Sequence, residues 1–170
     1  MKQTVEENKE KTSLMSKELE KMFNDLLNFE AEKLSYIYSA KLYMDYNGLT
    51  DNYKFLCELY KGYEKTMHCM IHYLTSKMCK VSQIVFPAMD YTIKSEEDVF
   101  EQLTAFEDRY EEFIETMIDL ANENKDWKSF SYLTHKLDEI DHICCKAFAA
   151  VKNHKNPYLL IKCEQPLKEN

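Results

Sequence analysis

"VSQIVFPAMDYTIK", Val81 to Lys94, lies between two long helical patterns and belongs to neither. It is apolar and rich in β-branched residues, and Pro87 interrupts it, so it reads as an extended connection. A connection of this length can run the whole length of a helix pair. The elements on either side are therefore joined by a crossover and not by a turn.

Upstream, a first helix is expected from about Ser16 to Asp45. Leu19, Phe23, Leu26, Leu34 and Ile37 recur at helical intervals, and Glu30 stands in the one wide gap. "YNGLTDN", Tyr46 to Asn52, ends that helix and starts a second, about Tyr53 to Cys79, with Leu56, Tyr60, Met67, Ile71 and Leu74 on one face. Downstream, "SEED", Ser95 to Asp98, is a capping signal for a third helix carrying Val99, Leu103, Tyr110, Ile114, Met117 and Ala121. "NENKDW" supplies a turn with Asp126 as cap, and a fourth helix follows with Phe130, Leu133, Leu137, Ile140, Cys144 and Phe148. Four long helices joined short, long, short make an all-α four-helix bundle with one long crossover between the second and third helices. Residues 1–14 are polar and read as a flexible arm, 15–153 as the bundle, and 154–170 as a C-terminal segment. The apolar patch Tyr158 to Ile161 in that segment is expected to dock on the bundle or on a neighbouring subunit.

Composition agrees with one helical domain. The 170 residues are 45% hydrophobic and 13% aromatic, with only two glycines and three prolines to make turns. A net charge of -8 repels nucleic acid and anionic membrane surfaces. No segment approaches the roughly 20 apolar residues of a membrane span. A soluble, cytoplasmic protein is expected. The six cysteines contain no Cys-x-x-Cys pair and read as reduced thiols acting as small apolar residues.

Carboxylates in apolar stripes need a partner, because a lone buried charge costs several kcal/mol. Glu30 lies between Leu26 and Leu34, Glu64 between Tyr60 and Met67, and Glu107 between Leu103 and Tyr110. If all three face inward they converge at mid-bundle, where an oxygen cluster suits a hard cation and iron also accepts imidazole. Alternatively they sit on helix flanks, paired with lysines such as Lys33, Lys61 and Lys65. Further candidate ligands are His68, four residues after Glu64, and the Glu-x-x-His spacing of Glu139 and His142 in "DEIDH". His72, one turn beyond His68, is expected at the surface.

The chain resembles the non-haem, bacterial-type ferritins from about Ser16 to Gln165. "LEKMFNDLLNFEAEKL" is similar to their first helix, "YLTSKMCKVSQIVFPAMDY" to the second-helix end and crossover, "LANENKDWKSFSYL" to the third turn, and "PYLLIKCEQ" to the C-terminal segment. The resemblance places Glu30 and Glu107 at ferroxidase ligand positions of the first and third helices. In the second helix, an ungapped register puts Tyr63 and Thr66 at the family's Glu and His. One extra residue near Asn52 puts Glu64 and Met67 there instead. In the fourth helix the ungapped positions are Ile140 and Ile143, and a one-residue slip restores Glu139 and His142. The family's site tyrosine is replaced by Ile37, and Met67 does not fall where haem-binding relatives carry an axial Met. The resemblance implies a homo-oligomer, a cage of 24 subunits, that binds non-haem iron and stores it as a ferric mineral. It implies ferroxidase activity if the altered centre works, with metal near Glu30, Glu64 and Glu107, while His68, Glu139 and His142 remain candidate ligands from their spacing. If the centre does not work, it implies a shell subunit with a structural or co-assembly role. A plain helical interaction domain is the third alternative.

Overall fold

Local signals set the helix ends. Ser16 Oγ accepts the Leu19 N–H at 3.2 Å, and Ser95 Oγ accepts the Asp98 N–H at 3.1 Å, so both side chains cap the helices that follow them. Gly48, at φ 71°, takes the left-handed conformation that the first turn needs. The computed structural model describes residues 13–88 and 92–164. Within them lie α1 (Lys17–Tyr46), α2 (Thr50–Ser76), α3 (Glu96–Glu123), α4 (Trp127–Asp138), α5 (Ile143–Lys152) and α6 (Tyr158–Glu164). Most of the expected N-terminal arm lies outside the described residues.

The helices form a four-helix bundle, as the periodicity predicts, with one correction. The expected continuous fourth helix is two helices, α4 and α5, separated by Glu139–His142. His142 at φ 52° is left-handed, which a helix cannot carry through. α1 pairs with α2, α3 packs along both α4 and α5, and α1 contacts α3.

The crossover lies extended along α1, and its contacts move steadily down that helix. Lys80 N–H donates to Glu20, Ser82 N–H to Asn24 Oδ1 at 2.7 Å, and Val85 N–H to Asn28 Oδ1 at 2.9 Å. Near its far end, the Tyr43 hydroxyl lies 3.5 Å from the Lys94 carbonyl. Asn24 also donates to the Lys80 carbonyl and accepts from the Ser82 hydroxyl. Backbone with no ladder partner is thus satisfied by side chains of one helix face.

The core falls into two apolar clusters. One gathers Leu19, Phe23, Leu27, Met70, Leu74, Ile114 and Met117, and the other gathers Ile37, Met44, Phe55, Leu56, Phe100, Cys144 and Ala147. Tyr158, Leu160 and Ile161 of the C-terminal segment pack against the second. Among the described residues no helix is long and apolar enough to cross a membrane, and Cys57, Cys69, Cys79, Cys144 and Cys145 are free thiols.

Two outcomes follow from these caps and clamps. Asn24→Ala removes three hydrogen bonds to the crossover and is expected to speed amide exchange at Ser82 while leaving α1–α4 protection in place, at a stability loss of about 1 kcal/mol. Unchanged exchange at Ser82 would show that the clamp holds nothing. Asp126 caps α4 through the Ser129 N–H at 3.1 Å and hydroxyl at 2.6 Å, with Lys77 Nζ at 3.6 Å. Burial pushes its carboxyl up, but the Ser129 hydrogen bonds and the Lys77 ammonium outweigh burial and hold it below the ordinary 3.8. A depressed folded-state value means stability that is present above the unfolded-state value and is lost as pH falls through the folded one. Asp126→Ala is therefore expected to cost about 1 kcal/mol at neutral pH, and that difference, read from urea unfolding, should shrink as pH drops below the ordinary carboxylate range.

Candidate metal centre at the middle of the bundle

Between the two apolar clusters lies a belt of polar side chains. Glu30 on α1 is 0% exposed and Glu107 on α3 is 6% exposed, and both line a cavity of about 120 Å³. Of the two arrangements open to these carboxylates, both take the inward one. Each already has partners.

Lys33, one turn after Glu30, points into the same interior and is 1% exposed. Its Nζ lies 2.9 Å from Glu30 Oε1, over the Tyr63 ring at 3.6 Å from the centroid and 4.8 Å from that of Tyr110. An ammonium held by one carboxylate and two ring faces is a desolvated cation in a site of its own. The alternative of a flank pairing with Lys33 is thus met in part: the pair forms, but in the core. Glu30 Oε2 has no hydrogen-bond partner among the described residues.

Glu107 is saturated differently. The break before α5 frees that helix's first N–H groups, and the carboxylate takes them. Cys144 N–H lies 3.0 Å from Oε1 and 3.1 Å from Oε2, and Cys145 N–H 3.3 Å from Oε2. Asp141 Oδ1 accepts the Ile143 N–H at 3.0 Å. A carboxylate at a helix N-terminus meets both unpaired donors and the positive end of the helix dipole. The Tyr63 hydroxyl adds a longer bond to Glu107 Oε1 at 3.4 Å. Burial, with the nearby Cys144 and Glu107, pushes the Tyr63 phenol well above its ordinary value, and burial does the same to the Cys144 thiol. Both stay protonated at neutral pH.

The other candidates do not reach this belt. Glu64 and His68 are exposed, on a face of α2 shared with Lys61, Lys65, Cys69 and His72. The buried stripe of α2 includes Met67, Met70 and Leu74, with half-buried Tyr63 aimed inward. Glu64 is one residue, about 100°, away from that line. The Glu139–His142 spacing loses its meaning when the helix breaks. Glu139 sits at the cavity mouth, exposed, where a hydrogen bond from Lys136 holds its carboxyl below the usual range and His135 lies 3.2 Å away. His142 is exposed and 3.9 Å from Glu111. Tyr63, Thr66, Ile140 and Ile143 line the cavity. Among the described residues no three His, Cys, Asp or Glu side chains lie together as a metal site needs.

Solved structures share this architecture. An open-pore ferritin from the hyperthermophilic archaeon Archaeoglobus fulgidus superposes with a TM-score of 0.75 over 91% of this chain and 99% of its own, at 16% identity. The chain has the ferritin fold. A humanized archaeal ferritin matches with a TM-score of 0.78 at 16% identity, over 91% and 98% of the two chains. A Chlorobium tepidum ferritin gives 0.71 at 18%, over 88% and 94%. No family model matches the sequence, and no curated protein does. At such identities the likeness is one of fold.

Di-iron bundles of this fold draw a Glu from each of two helices and a Glu-x-x-His from each of the other two. Here two helices each carry one inward carboxylate, Glu30 and Glu107. The i, i+3 positions of the other two helices hold Tyr63 with Thr66 and Ile140 with Ile143. Neither set can replace the missing carboxylates and imidazoles, and Lys33 already neutralises Glu30. The residues present do not fit a dinuclear iron centre. The interior placement of Lys33 and the break at Glu139–His142 escaped sequence reasoning. Glu30-x-x-Lys33, opposite charges one turn apart beside a core stripe, was the available signal for the first.

Lys33→Met leaves Glu30 buried without its cation and is expected to cost roughly 3–5 kcal/mol, whereas Glu30→Leu with Lys33→Met together should recover most of it. Urea midpoints of the singles and the double test this. Losses that simply add would mean that the pair is not coupled.

Proposed function

We propose that this chain is a subunit of a ferritin-like, iron-storing homo-oligomeric shell whose mid-bundle centre does not oxidise ferrous iron. The observation that carries the reading is the Lys33 ammonium, 2.9 Å from Glu30 and caged by Tyr63 and Tyr110 where an incoming cation would need Glu30. A ferrous ion entering there must displace a tethered charge and meets Glu107 already engaged by the amides of α5. Iron held by such a shell would be oxidised elsewhere, on other subunits or in solution.

Assembly is supported by apolar surface on one side of the bundle. Tyr38, Leu42 and Tyr46 of α1 and Val85 and Phe86 of the crossover are all exposed. A shell of 24 copies is the assembly proposed by analogy with the fold. The -8 charge also favours cation entry to an enclosed volume.

A second reading, an active but altered ferroxidase centre, draws on one observation. Glu30 Oε2, unpartnered, and Glu107 face the same cavity. The two readings separate on aerobic addition of ferrous iron to metal-free protein, with assembly mass measured on the same sample. The expected result is a large assembly in which ferric absorbance rises no faster than in buffer. Fast oxidation that disappears in Glu30→Ala would establish the altered ferroxidase instead, and a monomeric mass would remove the shell.

A further inference from the structure

The exposed face of α2 carries two imidazoles with no partner in the mid-bundle belt. His68 and His72 are four residues apart on a helix that runs unbroken from Thr50 to Ser76. Residues at this spacing lie one above the other on the same face, with Cβ atoms roughly 5–6 Å apart. Both side chains are exposed and, with Lys61, Glu64, Lys65 and Cys69, line a shallow open groove of about 460 Å³. Neither imidazole makes a hydrogen bond or ion pair to another described residue, whereas His135 and His142 lie 3.2 Å and 3.9 Å from carboxylates.

We infer that His68 and His72 form a two-imidazole chelate for a divalent first-row cation such as Zn²⁺ on the outside of the bundle. Metal–imidazole bonds are about 2.0–2.1 Å long, so rings from successive turns can meet at one ion. The same i, i+4 pairing underlies the His-Glu-x-x-His helix of zinc proteases. Imidazole donors select zinc, copper or nickel over magnesium or calcium. Glu64, one turn before His68, puts negative charge on the same stripe. The Lys61 ammonium is turned to Glu58 at 2.7 Å, which offsets one of the two nearby positive charges. With two protein ligands the ion keeps water in its remaining positions, so the site is open and exchangeable. It shares no residue with the Glu30–Glu107 belt and stands or falls independently of the shell reading.

Calorimetric titration of the metal-free full chain with Zn²⁺ in a non-coordinating buffer tests the chelate. One saturable equivalent per chain is expected, lost in His68→Ala and equally in His72→Ala, and kept in His135→Ala. Both substitutions are on the surface, and circular dichroism of each variant should match the parent. With Cu²⁺ in place of Zn²⁺, electron paramagnetic resonance should show coupling to imidazole nitrogen that vanishes in the double variant. No saturable uptake by the parent, or uptake abolished by only one of the two substitutions, would overturn the inference.

Discussion

A carboxylate and an ammonium, both withdrawn from water one turn apart on α1, set the terms for the middle of this bundle. Glu30 and Lys33 are each almost wholly buried. Either alone would be intolerable there, since the desolvation of one ion exceeds what a surrounding of leucines returns. Together with the faces of Tyr63 and Tyr110 they form a neutral unit that the two apolar clusters enclose from above and below. Two carboxylates in one cavity, Glu30 and Glu107, are like charges that must each be met. Here one charge is met from its own helix and the other from a neighbouring one.

The second solution is a matter of backbone. Among the described residues no ion pair to Glu107 forms, and it is instead held by amide donors freed where the fourth helix stops and restarts. A left-handed residue of the His142 kind costs on the order of 1–2 kcal/mol. Charge-assisted hydrogen bonds to the Cys144 and Cys145 amides are of the size needed to offset it. The break and the carboxylate are two halves of one arrangement.

What could be read in the sequence was local. Ser95 and Asp126 announced their helices because a cap acts within one turn, and Pro87 with its β-branched neighbours marked the crossover. Glu30 and Glu107 were legible because several apolar residues on each side fixed their stripe. Glu64 was not, because the α2 stripe allows two lines one residue apart, and the choice between Tyr63 and Glu64 depends on packing against α1 and α3. The break at Glu139–His142 was illegible for a different reason. "DEIDHI" contains neither glycine nor proline, and its cause is a carboxylate more than thirty residues earlier in the chain. Lys33 was anticipated as a partner but on the wrong side of the helix wall, because lysine is rarely enclosed.

The interrupted fourth helix also divides the molecule by persistence. A ten-residue α-helix is short of the roughly 12–15 residues that hold themselves helical in water, so α5 owes its shape to Cys144, Ala147 and Val151 in the core and to one distant carboxylate. Such a segment opens at a lower free energy than the long helices around it. When it lifts, Glu107 loses its amides and the wall of the mid-bundle cavity that Ile143 supplies goes with it. The saturation of Glu107 and the persistence of α5 are thus one quantity, while α1, α2 and α3 form the longer frame around them.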